Sequence, residues 1–432
     1  VKACAALAVY DFLRARLSAM HASPRPAIAV SGGADSLALA LLTRHWCGQA
    51  GDPLALIVDH GLRPASGAEA CVTAERLHAI GIPSRILKLS GLTAGAGLAA
   101  RARDARYRAL IEATAQSGRV DLLLGHHRAD QAETLLMRRQ AQSGDAGLAC
   151  MASIRETPLV RLLRPLLGTP PGVLRAMLSE AGIGWIEDPS NQDQATLRAR
   201  LRRDLDNPEG AGPQIGALAD QAARYGQARA AKDGQIAAEL AARAAIFPEG
   251  FALLTPGQIS APALGALIRA LSGARYGPFG PGLARLAAEP RPAVLGGIRL
   301  FPAGRLGPGL LLVREQAAIA PPIPAMDGAV WDGRFRLQLL EKDGGSGGDG
   351  TSPLAFLSLT IGALGPDAAT LRDRSPLPAA VLQTLPALRL NGVLVEVPHI
   401  GYRPPCAVAC AVPRVAIRFA PANPASGAPF GV

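Results

Sequence analysis

Ala27-Ile28-Ala29-Val30-Ser31-Gly32-Gly33-Ala34-Asp35-Ser36 runs straight into Leu37-Ala38-Leu39-Ala40-Leu41-Leu42. A short apolar run suits a buried strand, and the apolar stretch after it suits a helix. Between them, six small and polar residues make a tight strand-to-helix turn. The glycine pair removes Cβ atoms where a backbone must approach a ligand. A helix start offers unpaired N–H groups to phosphate oxygens, and Ser31 and Ser36 add hydroxyl donors. Asp35 is the odd member, since a carboxylate among anion-binding donors makes best sense if a divalent cation bridges it to the anion. The plainer alternative is a Ser/Gly turn that only starts a helix. A Walker A loop is excluded, because no Gly-Lys-Ser/Thr follows the glycines.

Working outward, four strand-like runs (Ala27–Val30, Leu54–Val58, Ser84–Leu89 and Val120–Leu124) alternate with helical patterns over 36–47, 67–80, 98–117 and 130–141. Residues 3–20 predict an amphipathic helix ahead of them. Short apolar strands alternating with helices predict a parallel sheet covered on both faces. Ligands of such sheets gather beyond the carboxyl ends of the strands. Ser31–Ser36, Asp59-His60 and His126-His127 each follow a strand run closely, so they are expected to converge on one site.

Arg155 to Asn207 is expected to close this domain, with a helix at 172–181 after Pro170-Pro171 and an arginine-laced helix over 193–205. Asn207 to Pro213 reads as a linker. The predicted division is 1–210 for the nucleotide-binding domain, 214–320 for a helical accessory domain and 321–432 for a C-terminal one. In the second, helices are expected at 214–244 and 260–271, and Leu295–Phe301 with Leu310–Arg314 reads as a hairpin. In the third, short strands are expected at 334–340, 392–397 and 415–419, and Asp343–Gly350 reads as a disordered loop.

The 432 residues carry a formal charge of +11, which favours a polyanionic partner. Only four of the 45 basic residues are lysines, however, so a coding bias toward arginine would produce the same excess. Six cysteines at 4, 47, 71, 150, 406 and 410 form no CxxC. A zinc or iron–sulfur site and a disulfide framework are therefore not expected, and a reducing cytoplasm is the natural setting. Val1 to Met20, with Asp11, Arg14 and Arg16, reads as neither a signal peptide nor a membrane span.

Three further runs carry chemistry. Asp59-His60-Gly61-Leu62-Arg63 offers an acid at a strand mouth, which either caps the next turn or meets a nucleotide or its magnesium. Ala102-Arg103-Asp104-Ala105-Arg106-Tyr107 places planar guanidiniums that suit phosphate oxygens, or simply a solvated helix face. Gly125-His126-His127-Arg128-Ala129-Asp130-Gln131-Ala132-Glu133-Thr134 steps from His126 through Asp130 to Glu133 along one helical side. Two histidines and two acids could also ligate a metal, although adjacent histidines point in different directions.

These residues carry a resemblance. SGGADS resembles the SGGxDS pyrophosphate loop of the N-type ATP pyrophosphatases, the PP-loop superfamily, whose members cleave ATP between the α and β phosphates and transfer AMP to a substrate oxygen. VDHGLR, ARDARY and GHHRADQAET resemble the VDHxLR, ARxxRY and GHHxDDQxET segments of the tRNA(Ile)-lysidine synthase family. Arg164-Pro165-Leu166-Leu167 resembles its RPLL segment, and Glu187-Asp188-Pro189-Ser190-Asn191-Gln192-Asp193 its EDPSNxD segment. Two departures stand out. Ala129 replaces the first acid of the family's DD pair, and Ala199 replaces the Asn of an RNxxR run that otherwise keeps Arg198 and Arg202.

The resemblance implies an adenine-nucleotide α-hydrolase-like, Rossmann-like α/β domain with helical and small C-terminal accessory domains that contact tRNA. It implies ATP, Mg²⁺, L-lysine and a tRNA(Ile) with a CAU anticodon as substrates and partners, without a membrane, and leaves a homodimer open. The wobble cytidine's C2 oxygen would attack the α-phosphate, and the lysine ε-amine would then displace AMP. Ser31, Gly32, Gly33, Ala34, Asp35 and Ser36 would hold the pyrophosphate, with Asp35 and Asp59 positioning Mg²⁺. Asp130 or Glu133 would hold lysine, His127 or a carboxylate would act as base, and Arg103 and Arg106 would meet ATP or RNA phosphates. Two other readings remain: a tRNA 2-thiolation enzyme, which normally needs catalytic or cluster-binding cysteines, and a non-catalytic ATP-binding RNA chaperone.

Overall fold

The computed structural model describes residues 2–48, 51–91, 95, 97–187, 200–201, 209–340, 359–405, 407, 412–426 and 430–431. Two compact units emerge, Val1–Lys232 with Ala428–Val432, and Asp233–Gly427.

In the first unit, α1 (Lys2–Ala19) leads to β1 (Ala27–Val30), α2 (Ala34–Cys47), β2 (Leu54–Asp59), α3 (Ser66–Ala79), β3 (Ser84–Lys88), α4 (Leu98–Gln116) and β4 (Asp121–Leu123). Then come α5 (Arg128–Gln140), α6 (Asp145–Leu148), the hairpin β5 (Ile154–Glu156) and β6 (Arg161–Leu163), and α7 (Pro171–Glu180). The strands order as β3-β2-β1-β4-β6-β5, with every pair parallel except β5–β6. All four predicted strand runs are present, and the predicted helices at 3–20, 36–47, 67–80, 98–117, 130–141 and 172–181 start and end within two residues of their places.

Strand alternation sorts the two faces. Ile28, Val30, Ala55 and Ile57 point into a core with Leu13 and Leu17 of α1, Leu37 and Leu39 of α2, Leu77 of α3 and Leu174 of α7. Ala27, Leu54, Leu56 and Val58 point the other way, onto Leu110 and Ala113 of α4. Full burial of a leucine such as Leu13 or Leu17 stabilises by about 1.5–3 kcal/mol, so these two positions hold α1 to the sheet. The chain moves outward from β1 to β3 with its helices on one face. It then returns past β1 to β4 through α4 on the opposite face, as right-handed crossovers require. The resulting change of direction between β1 and β4 opens a crevice at their carboxyl ends.

β5 and β6 were not expected as strands. At three residues each they are too short to show a period of two, and they form only because β6 continues the sheet beside β4. All of Asp188 to Asp193 and the predicted helix over 193–205, apart from residues 200–201, lie outside the described residues, as does Asp343–Gly350.

Among the described residues, the second unit is built on three antiparallel sheets. The largest has five strands, 244–246, 252–254, 310–314, 298–302 and 293–295, packed on helices Ala261–Ser272 and Pro281–Ala288. Ser260 caps the first of these helices by accepting the Ala263 N–H, Pro262 sits in its first turn, and Gly273 ends it at φ +69°. Arg334 is fully buried, bonded to Asp332 and to the Leu271 carbonyl at that helix end. Among the described residues, no helix is long and apolar enough to cross a membrane.

Candidate active site

The loop after β1 turns on two glycines of different use. Gly32 has φ +87°, and a Cβ there would stand 2.5 Å from Thr73 Oγ1 and 3.0 Å from Ile186 Cδ1. Its carbonyl accepts the Ile186 N–H at 2.9 Å. Gly33 is the extended N-cap of α2 and supplies no side-chain cap, so the first-turn N–H groups are left for a ligand. Ser36 shapes the loop from inside: its hydroxyl donates to the Gly33 carbonyl at 2.9 Å and accepts the Ser31 N–H at 3.2 Å. Ser31 is exposed and Ser36 is buried, which leaves Ser31 as the hydroxyl facing solvent.

β4 delivers the other wall. Gly125 lies so close to the start of α2 that a Cβ would sit 3.2 Å from the Asp35 carbonyl and the Ser36 Cα. His127 then caps α5 in a reciprocal box: its Nδ1 accepts the Asp130 N–H at 3.4 Å, and Asp130 Oδ2 accepts the His127 N–H at 3.0 Å. That leaves His127 Nε2 facing two carboxylates, Asp35 Oδ2 at 3.4 Å and Asp130 Oδ2 at 3.6 Å. His127, Asp130 and Glu133 are all buried. The structure thus brings Ser31–Ser36 together with His127 and Asp130 at the crevice between β1 and β4.

Burial pulls the His127 pKa down, but the charges of Asp130, Asp35 and Glu133 outweigh it, and the ring ends above its ordinary value. A base raised in the folded state stabilises the fold fully below its unfolded pKa and loses that contribution as pH rises through the folded value. Wild type should therefore be more stable than His127→Gln below about pH 6.5, with the advantage shrinking as pH climbs above it. Urea unfolding of both proteins across that range reads this out, and an advantage that grows with pH would refute the charge cluster.

Other candidates lie apart. Asp59 Oδ1 accepts the Ser66 hydroxyl at 2.6 Å and the Gly61 N–H at 3.1 Å, and these bonds hold its pKa below the ordinary value. Its carboxylate caps the turn after β2, and no hydrogen bond joins it to Asp35 or His127. Arg103 and Arg106 are exposed, with guanidinium carbons 5.1 and 5.8 Å from the Tyr107 ring centre. Gln131 clamps Met151 through both its amide groups, bonding the carbonyl at 2.9 Å and the N–H at 3.0 Å.

Sequence reasoning missed Thr73 and Ile186, which close the loop around Gly32. It also missed Gly125 as a spacer, though a glycine directly after a strand run and before two histidines is the signal that could have found it. Arg164 was read only as part of a motif. It is buried, bonded to the Ala152 carbonyl at 2.8 Å and set beside Tyr107.

The PP-loop domain family matches residues 11–209. A tRNA(Ile)-lysidine synthase from Ruegeria pomeroyi is 36% identical over 344 residues, covering 76% of this chain and 80% of that protein. One from Hyphomonas neptunium is 39% identical over 291 residues, covering 63% and 77%. The chain belongs to the tRNA(Ile)-lysidine synthase family. A lysidine synthase from Bradyrhizobium diazoefficiens is 42% identical over 215 residues, of which this chain spans 60% of the length.

Within the lysidine synthase pattern, Ala129 now has a physical setting. It is buried in an apolar cluster with Leu135, Ile215 and Leu218. It also lies 3.5 Å from where a Gly210 Cβ would be. An unpaired carboxylate in that setting would be costly to bury, and the alanine leaves the Asp35–His127–Asp130 cluster intact. Arg198, Ala199 and Arg202 lie outside the described residues.

Proposed function

We propose that this chain joins L-lysine to C2 of the wobble cytidine of a tRNA(Ile) with a CAU anticodon, through an adenylated tRNA intermediate, releasing pyrophosphate and AMP. The observation that carries this reading is the 3.4 Å approach of His127 Nε2 to Asp35 Oδ2. It joins the run most specific to lysidine synthases to the pyrophosphate loop in one crevice. The same reading assigns the chain to the cytoplasm and gives residues 214–320 and 321–432 to tRNA contacts.

The attacking base oxygen is a weak nucleophile, so alignment and neutralisation of phosphate charge must do most of the catalysis. The first-turn N–H groups of α2, the exposed Ser31 hydroxyl and the positive end of the helix dipole take the departing pyrophosphate. Asp35 fits magnesium: its Oδ1 is buried without a hydrogen-bond partner among the described residues. Those residues include no group of three or more His, Cys, Asp or Glu that would cage a metal. Mg²⁺ is typically held by one or two carboxylates plus substrate phosphates, and it would supply charge neutralisation here. Asp59, committed to Ser66 and Gly61, is the weaker candidate for a second ligand.

The lysine ε-amine must lose a proton, being mostly charged near pH 7. Because His127 Nε2 faces both Asp35 and Asp130, we assign it to positioning these two carboxylates. Asp130 is then the acid left to meet the amine, with the deeply buried Glu133 acting through His127. Arg106, exposed on α4, is assigned to RNA or ATP phosphate. The thiolation alternative is weakened by burial, which pushes the Cys47 and Cys150 thiols up to about 11 and away from thiolate chemistry.

AMP formation with a tRNA(Ile)-CAU transcript tests the reading. AMP should appear only with lysine present and not with a control tRNA. Asp130→Asn should still release pyrophosphate but show at least a tenfold higher KM for lysine. Binding of ATP and tRNA without pyrophosphate release would favour the chaperone instead.

A further inference from the structure

The loop joining helices Ala261–Ser272 and Pro281–Ala288 carries Arg275-Tyr276-Gly277-Pro278-Phe279. Phe279 is 92% exposed and Tyr276 74%, the two most exposed large apolar side chains among the described residues. An exposed aromatic is no oddity alone, but two within four residues on a rigid loop are. Close approaches fix the backbone beneath them. A Cβ on Gly273 would meet the Asp332 carbonyl at 2.3 Å, and one on Gly277 would meet the Gly265 carbonyl at 2.8 Å. A Cβ on Gly296 would stand 2.9 Å from Ile268 Cγ2, with Pro278 in ordinary contact at 3.5 Å. The backbone on either side of Tyr276 is thus packed closely on the rest of this unit, with both rings exposed.

The segment that carries them is strongly basic. Arg275 places its guanidinium carbon 5.4 Å from the Tyr276 ring centre. Residues 261–300 hold five arginines, at 269, 275, 285, 291 and 299, against the single acid Glu289. Glu289 is itself paired with Arg291 at 3.3 Å. Flat rings interleaved with guanidiniums match a chain of flat bases on a phosphate backbone. An apolar protein partner would need no such excess of cations.

We infer that Tyr276 and Phe279, with Arg275, form a stacking tip for unpaired nucleotides of RNA. The inference rests on the proposed tRNA substrate and adds a contact on the second unit. Stacking is sequence-tolerant and needs bases free of a duplex. A rigid tip binds without the ordering cost of a mobile loop.

The test uses the full chain with three RNAs: the tRNA(Ile)-CAU transcript, a single-stranded oligouridylate and a fully paired duplex. Tyr276→Ala and Phe279→Ala should each weaken binding to the transcript and the oligouridylate about tenfold, without changing duplex affinity or the salt slope. Arg275→Gln should lower that slope by about one unit. Maximal AMP formation at saturating tRNA should be unchanged in all three variants. Unchanged single-strand affinity would overturn the stacking tip, even with normal lysine-dependent AMP formation. Loss of a wild-type dimer in the aromatic variants would overturn it in favour of self-association. Normal RNA binding by the tip with no AMP formation would instead sink the proposed reaction and leave the tip standing.

Discussion

Asp35→Asn is expected to slow pyrophosphate release by about 10²–10³-fold while the protein remains folded. The substitution keeps the side chain's shape and removes the one charge that faces both the loop ligand and His127. Folding should survive because the Asp35 side chain is about one-third exposed and its contact with Gly125 is made by backbone. An independent readout accompanies the rate. With one of its three neighbouring acids neutralised, the His127 ring should titrate at lower pH than in wild type. A near-normal rate together with an unshifted ring would remove Asp35 from the site.

Gly32→Ala should cost about 2–5 kcal/mol of stability and nearly all activity. Two separate penalties add: an L-residue at φ +87° costs roughly 1–2 kcal/mol, and crowding Thr73 Oγ1 and Ile186 costs about 1–3 kcal/mol more. The double variant Gly32→Ala/Thr73→Ala separates them, since shortening Thr73 clears the nearer clash and leaves the dihedral penalty. Partial recovery of the urea midpoint is expected. No recovery would mean that the dihedral alone controls the loop, and a single variant as stable as wild type would show that the turn readily adopts another path.

The first unit was legible because its strands are apolar runs long enough to separate two faces, as Ile28 and Val30 against Ala27 and Leu56 show. The crevice followed from chain order alone, since the polar clusters lay just beyond strand ends. What could not be read was the placement of side chains. Asp59 and Asp35 are both acids after neighbouring strands, yet Ser66, seven residues further on, claims Asp59 for a turn. Likewise His127 reads as a base by residue type, while the acids that raise its pKa come from α2 and α5, and only the fold places them together. In the second unit, the expected strands are found at 298–302, 310–314, 335–339, 393–396 and 415–419, while runs such as 244–246, 252–254, 359–363 and 386–390 carry too little periodicity to be recognised singly. The sheets exist because distant segments such as 359–363 and 386–390 pair.

The near-contact between Gly125 and the backbone of Asp35 and Ser36 has a consequence for how this crevice can change over evolutionary time. Its width is set by main-chain atoms touching across a missing side chain, so the distance between the pyrophosphate loop and the start of α5 does not depend on which polar groups line it. Acids can be exchanged, moved or deleted along α5, as at Ala129, and the reactive groups that remain stay in register. Catalytic lineages built on this crevice can therefore drift in chemistry while keeping their gauge.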